Sequence, residues 1–217
     1  MLKAGKILVA LISLSAVGVL AGGAGQKAGH TGFLKNYAQL KPDPKVDGAL
    51  RYVNPKRNLK QYDRFLIDPI AVYFAPAAKG AGIDPAKLKE LTDYFRSELE
   101  KALTKNYKVV SAPGKGVMRL RIAITDVDES EPLLNIHPFM KLTGAGLGGA
   151  SMEGEGIDSL TGERIGAIVE TRSGDRMSLG SGLSRMGHAK QVMRYWVERF
   201  LKNLNKAHGY KSSTAAQ

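Results

Sequence analysis

Two stretches of this chain space their apolar residues as helices do, and most residues between them alternate as strands do. In the first stretch, Leu88, Leu91, Phe95, Leu99, Ala102 and Leu103 recur at three- and four-residue steps. They follow Asp84-Pro85, an N-cap and a first-turn proline, and Asn106 marks the stop. In the second, Ala189, Val192, Met193, Trp196, Phe200 and Leu204 make the core stripe of a helix from about His188 to His208, with Gly209 as its stop. A helix with one apolar face needs a layer to bury it against, and strand-like segments supply that layer.

Phe65 to Phe74 reads as a buried strand in which Pro69 implies an edge position or a bulge. Tyr107 to Ser111 is a short second strand, followed by the turn Pro113-Gly114-Lys115-Gly116. From Val117 to Val127, Leu120, Ile122 and Ile124 face one way while Arg119, Arg121 and Thr125 face the other. Ser151 to Ile157 and Glu163 to Thr171 flank the hairpin turn Asp158-Ser159-Leu160-Thr161-Gly162, with Ile165, Ala167 and Val169 as the buried face of the second arm. The order β-α-β-β-β-β-α predicts an α/β fold of the α+β kind. It is a two-layer sandwich, with two helices packed on one face of a mixed, mainly antiparallel sheet of about five strands. The β-α-β opening allows the first two strands to be parallel neighbours.

The first 23 residues read as an address. Two lysines precede fourteen uncharged residues, Ile7 to Leu20, and a small-residue exit through Ala21, Gly22, Gly23 and Ala24. Those are the parts of a secretory signal peptide, and the apolar run is short of the roughly 20 residues that span a bilayer. Leu20-Ala21-Gly22 is also what precedes the lipidated cysteine of a bacterial lipoprotein, but the next residue here is Gly23. The chain therefore divides into a signal peptide (1–23), an extended basic arm (24–63), an α/β domain (64–209) and a disordered tail (210–217).

Cysteine is absent, which removes disulfides, thiolate metal sites and cysteine nucleophiles together. The formal net charge of +12 favours anionic partners or surfaces. The arm concentrates that charge, with eight Lys/Arg against three Asp, and intersperses Phe33, Leu34, Tyr37, Leu40, Leu50, Tyr52 and Tyr62. Pro42, Pro44 and Pro55 break regular structure there. The reading is an arm that lies across the body and docks through its apolar groups; stacking on nucleobases is the alternative.

Motifs that carry chemistry mostly fail on context. Gly144-Ala145-Gly146-Leu147-Gly148-Gly149 satisfies a dinucleotide-binding string but lacks the strand before it and the helix after it. Asp126, Asp128, Glu129 and Glu131 end one strand, and Glu153 and Glu155 share one face of the next. Carboxylates in such groups can hold a hard cation or act as acid and base, but solvated strand ends are the better explanation of both groups. His30, His137, His188 and His208 form no metal-binding pair. His188 lies near a helix start, where a cation is unfavourable, and His208 in a last turn, where it suits the helix dipole. Ser181-Gly182-Leu183-Ser184 is not a nucleophile elbow.

Several strings together are similar to one bacterial group: the exit Leu20-Ala21-Gly22, the run from Thr31 to Leu40, Arg51-Tyr52, and Ile67-Asp68-Pro69. Gly149 to Glu153, Asp158 to Glu163 and the closing tryptophan helix complete the match. They resemble the uncharacterised bacterial lipoproteins grouped as domain of unknown function 3313. The resemblance implies an exported, usually lipid-anchored envelope protein without assigned catalytic residues, and Gly23 is the departure from it. The expected function is a non-catalytic binding or structural module of the periplasm or cell envelope. Its expected partner is another envelope protein or an anionic envelope surface, with peripheral membrane association. A carboxylate-dependent periplasmic hydrolase is the alternative, and a basic nucleic-acid-binding protein a second. No cofactor or metal is expected.

Because lipidation needs a thiol, the wild-type chain is expected to leave the cytoplasm without acquiring a lipid. Gly23→Cys should fix it to a membrane, since two acyl chains suffice for stable attachment. Radiolabelled fatty acid and fractionation read both outcomes; label in the wild type would overturn the reading of Gly23.

Overall fold

The computed structural model describes residues 31–74, 78, 82–128, 149–173 and 186–210. The predicted cleavage region Ala21–Ala24 lies outside the described residues, as do Glu129, Glu131, most of the glycine string, His30 and His137, and Ser181–Ser184.

The described elements are, in chain order, β1 (Lys41–Pro42), β2 (Ala49–Val53), a 3-10 turn (Leu59–Gln61), β3 (Arg64–Ile67), β4 (Ala71–Val72), α1 (Pro85–Leu103), β5 (Lys108–Val109), β6 (Val117–Asp128), β7 (Gly149–Asp158), β8 (Arg164–Ser173) and α2 (Gly187–His208). They form one eight-stranded mixed sheet, ordered β1-β2-β8-β7-β6-β3-β5, with β4 beside β6. Two points correct the sequence reading of about five strands in the order β-α-β-β-β-β-α. Residues 41–53 add β1 and β2, which pair antiparallel with each other, and β2 pairs antiparallel with β8. The expected strand from Phe65 to Phe74 is broken at Asp68-Pro69 into β3 and β4, both parallel to β6. Prolines in the early segment argued against strand there, but Pro42 sits on an edge, where a missing donor costs no ladder bond.

The first helix begins and the second ends as their sequences direct, whereas α1 stops at Leu103, before the expected Asn106, and α2 starts without a side-chain cap. Asp84 accepts a hydrogen bond from the Ala86 N–H at 2.8 Å, and Pro85 fills the first turn of α1. The second helix stops at Gly209, whose φ of 79° is left-handed and favours glycine. Leu91, Phe95, Leu99 and Leu103 of α1 and Val192, Met193, Trp196 and Leu204 of α2 are buried in one core, with Phe65, Leu120 and Ile124 of the sheet.

The opposite face of the sheet has its own cover. Leu34, Ala167 and Val169 are buried there, and Phe33, Tyr37, Leu40, Leu50 and Tyr52 pack on them. Two bulges assign residues to the two faces. The β7–β8 register shifts between Gly156 and Ile157, which leaves Ile165 as an extra residue. Ile165 and Ile168 therefore join the helix-side core, while Ala167 and Val169 meet residues 33–40. Strict alternation had placed Ile165, Ala167 and Val169 on one face, and the bulge overturns that. A second shift, between Ile124 and Asp126, lets Val127 return to the helix side.

Leu34 is 1% exposed, so Leu34→Ala should cost about 2–5 kcal/mol, as buried Leu-to-Ala changes do. Urea unfolding of the variant measures it. An unchanged midpoint would mean that residues 31–40 lie free of the sheet.

Candidate functional site

The central strand β7 turns Glu153 and Glu155 to the face under residues 31–40, on one side as their spacing predicts. They do not face each other's chemistry. Glu153 is wholly buried and accepts from the Thr31 N–H at 2.8 Å, the Thr31 hydroxyl at 3.0 Å, the Leu34 N–H at 3.2 Å and the Tyr37 hydroxyl at 2.6 Å. Burial, and then its bond to Glu153, raises the Tyr37 phenol above its ordinary value. Glu155 pairs with Arg121 of β6 and, at 2.8 Å, with Arg164 of β8, and Arg164 also donates to the Asn36 carbonyl at 2.6 Å.

Asp126 lies further along β6, opposite Ser151, and accepts from its own neighbour's N–H at Val127. Among the described acids, Asp126 thus stands toward the far end of the β6–β7 ladder from Glu155, while Glu153 and Glu155 are held by separate sets of donors. Among the described residues no group of three or more metal-ligating side chains occurs. At the hairpin, Asp158 accepts from the N–H groups of Leu160 and Thr161 and from the Tyr62 hydroxyl. These bonds, the Thr161 N–H foremost, hold its carboxyl below the usual range, while burial and Asp158 push Tyr62 up to about 12.

On the helix face, one acid was not singled out from the sequence. Glu170 of β8 is 0% exposed and pairs with Arg199 of α2. Burial pushes its carboxyl up, against the opposing pull of Arg199, the Trp196 indole and Arg172. The indole N–H lies beside Glu170 and favours the charged carboxylate, although by strict hydrogen-bond geometry Trp196 Nε1, Glu170 Oε1 and Arg199 Nη1 are buried without a partner among the described residues. Arg172 and Arg199 both approach the Tyr195 ring, at 3.8 and 5.6 Å from its centroid. The sequence signal was present in α2: Arg199 stands three residues from Trp196, between stripe positions. Its partner was hidden by the bulge at Ile165, which sets the parity of Glu170.

Beside this pair lies a cavity of about 220 Å³ between the sheet, at Met118, Leu120 and Met152, and the helices, at Phe95, Trp196 and Phe200. Exposed Arg51, Val53 and Asn203 mark its open side. A wider, open depression of about 1200 Å³ lies at the other sheet edge, between α1 and β5. Trp196, read from the sequence as core, is 3% exposed and tilts against Phe95 with ring centroids 5.9 Å apart. His188 is buried in the first turn of α2, and His208 Nε2 lies 3.1 Å from the Leu59 carbonyl.

The described residues define an α+β domain whose sheet carboxylates are engaged in holding its own segments together. The chain belongs to the family described as a protein of unknown function, DUF3313, whose family model matches residues 30–200. It is 26% identical over 200 residues to the uncharacterized lipoprotein YdcL of Escherichia coli K12, which covers 86% of this chain and 90% of the relative. Among solved structures it is similar to a PelC dodecamer from Paraburkholderia phytofirmans, at 15% identity and a TM-score of 0.42, covering 72% of this chain and 95% of that one. A Xanthomonas campestris protein of the DUF330 family is similar at 13% identity and a TM-score of 0.37, over 72% and 92% of the two chains.

A buried acid left without its cation is costly, so Arg199→Met should destabilise the fold by about 3–5 kcal/mol at pH 7.5. A raised folded-state carboxyl pKa contributes stability that is full below its unfolded value and is lost as pH rises through the folded one. The loss in Arg199→Met should therefore be smaller at pH 4.5, where Glu170 binds a proton. Urea titrations at the two pH values check this; an equal loss at both would remove Glu170 as the cause.

Proposed function

We propose that this chain is an exported, non-catalytic module of the cell envelope that associates peripherally with anionic envelope surfaces. The lipoprotein relative supports the envelope, and the signal-like first 23 residues support export. The observation that carries the surface reading is the charge of α2. That helix holds five Lys/Arg against one Glu, whereas α1 is balanced at four and four. Arg194, Lys202 and Lys206 are exposed along α2, while the buried acids of the sheet are neutralised internally. The positive excess is therefore presented outward, where it attracts anions over about a Debye length.

The same accounting disfavours a carboxylate-dependent hydrolase. Glu153 and Glu155 accept from backbone, hydroxyl and guanidinium donors that fold the chain, which leaves them no substrate-facing geometry. Gly23 stands where a lipoprotein carries its acylated cysteine, so attachment through the basic helix replaces attachment through lipid.

Sedimentation with vesicles tests this reading. The chain should pellet with phosphatidylglycerol vesicles at 50 mM salt and be released as salt screens the attraction. At ~1 kcal/mol per basic residue near the surface, reversing Arg194, Lys202 and Lys206 to glutamate should weaken binding at least about a hundredfold. Equal binding to phosphatidylcholine, or no effect of the three reversals, would defeat the proposal.

A further inference from the structure

Separate stretches of the chain meet at one end of the domain, and side-chain bonds tie them together there. β3, β5, β6 and β8 start at this end, while β2 and β7 finish at it. Both helices finish here too. The Asn205 side chain of α2 accepts from the Tyr107 hydroxyl at 2.8 Å, just beyond α1, and His208 meets the Leu59 carbonyl of the 3-10 turn. The β7–β8 turn is held on two sides, by Tyr62 on Asp158 and by Ser159 on the Gly114 carbonyl, both at 3.0 Å.

The unpaired charge of this end has one sign. Lys56, Lys60, Lys105, Lys108, Lys115 and Lys206 are exposed, and none forms an ion pair among the described residues. The acids of the same stretches are occupied. Asp63 pairs with Arg64, Glu163 with Arg57, and Asp158 accepts from Tyr62 and from the N–H groups of its own turn. A helix C-terminus favours a cation, which accounts for Lys105 and Lys206 but not for the four lysines on loops, turns and a strand. At the opposite end the surplus is absent: the β1–β2 turn exposes Asp47 with Lys45, and the start of α1 exposes Asp84 with Lys87.

Apolar side chains collect where the lysines do. Of the five large ones exposed among the described residues, Val53, Leu160 and Tyr210 belong to this end. Leu160 is 64% exposed at the tip of the β7–β8 turn, where Thr161 and Gly162 are exposed as well. An aliphatic tip among unpaired lysines fits the interface of an anionic bilayer. The side chain enters the acyl region, and the ammonium groups stay on their flexible stems among the headgroups. Nucleic acid fits less well, because the tip is aliphatic, Tyr62 and Tyr107 are buried, and Tyr210 is stacked on His208.

We propose that this end of the domain is its contact with an anionic bilayer, Leu160 entering below the headgroups and the six lysines binding them. The starts of both helices are then turned away from the membrane. This rests on the surface reading above and names the part of the chain that makes the contact. Of the α2 cations, Lys202 and Lys206 belong to the last two turns, whereas Arg194 stands about 18 Å back from Lys206 along the helix.

The chain has no cysteine, so Leu160→Cys and Ala86→Cys each place one environment-sensitive fluorophore, at the tip and at the start of α1. With phosphatidylglycerol vesicles, emission of the label at 160 should move to shorter wavelength as it leaves water, and emission of the label at 86 should not. Leu160→Ser should weaken binding to these vesicles about tenfold. Reversing Lys56, Lys60 and Lys115 to glutamate should weaken it at least about a hundredfold. All four side chains are exposed, so both variants should keep the wild-type melting temperature. Vesicle binding that leaves the label at 160 in water, shifts both labels equally, or is weakened by neither variant would overturn this contact while the surface reading stands. Absence of any binding to phosphatidylglycerol would defeat both. Tighter binding to a single-stranded oligonucleotide than to the vesicles, indifferent to Leu160→Ser, would give this end to nucleic acid and overturn the bilayer contact.

Discussion

The carboxylate of Glu153 lies in the middle of the sheet with no access to water, and its four donors come from Thr31, Leu34 and Tyr37. A buried carboxylate without donors costs several kcal/mol, so β7 can occupy the centre of the sheet only if residues 31–37 close over it. That single requirement ties the start of the described chain to a strand more than a hundred residues later. Leu34 fills the apolar ground between them, on Ala167 and Val169. Arg164 repeats the arrangement one step along, pairing Glu155 while it holds the Asn36 carbonyl. The early segment is thus a layer of the fold, because the sheet is charged on the face it covers.

The helix face follows the opposite logic and shows where polarity is left over. Its core is large and apolar, built around Phe65, Phe95, Ile124 and Met193. Into it β8 inserts Glu170, against Arg199, with burial working against the carboxylate and the cation working for it. Replacing such a pair with apolar residues is often neutral for stability, so its presence is better explained by specificity than by strength. Interior polarity and exterior basicity therefore belong to different parts of one domain, and the proposed envelope role rests on the second.

How much of this was legible differs by element. The helices were readable because their stripes, the Asp84-Pro85 start and the Gly209 stop are local signals that tertiary contacts reinforced. The long strands β6, β7 and β8 were readable from alternation and the Asp158–Gly162 turn. Of the short ones, β5 was read within Tyr107–Ser111 and β3 and β4 as one strand, but β1 and β2 were not: they are held by pairing with each other, and β2 with β8, rather than by any pattern of their own. Glu153 and Glu155 were recognised as sharing a face, but not that the early segment or two arginines would satisfy them. Glu170 was missed because one extra residue at Ile165 reverses the parity of everything after it in β8.

By itself, then, the sequence determined what rests on neighbours in the chain: two amphipathic helices, three long strands, a basic surplus without cysteine, and a family kinship carried by many short strings. Only the tertiary structure decided what depends on distant residues meeting. Pairing placed residues 41–53 in the sheet, the two bulges chose which side chains enter which core, and charge pairing decided which buried acids are neutralised. The physical reason is the range of the forces involved. Periodicity, capping and turn chemistry act over a few residues and are written in order along the chain. Register, desolvation and charge pairing act between segments such as Thr31 and Glu153, or Glu170 and Arg199, whose separation in sequence carries no trace of their contact.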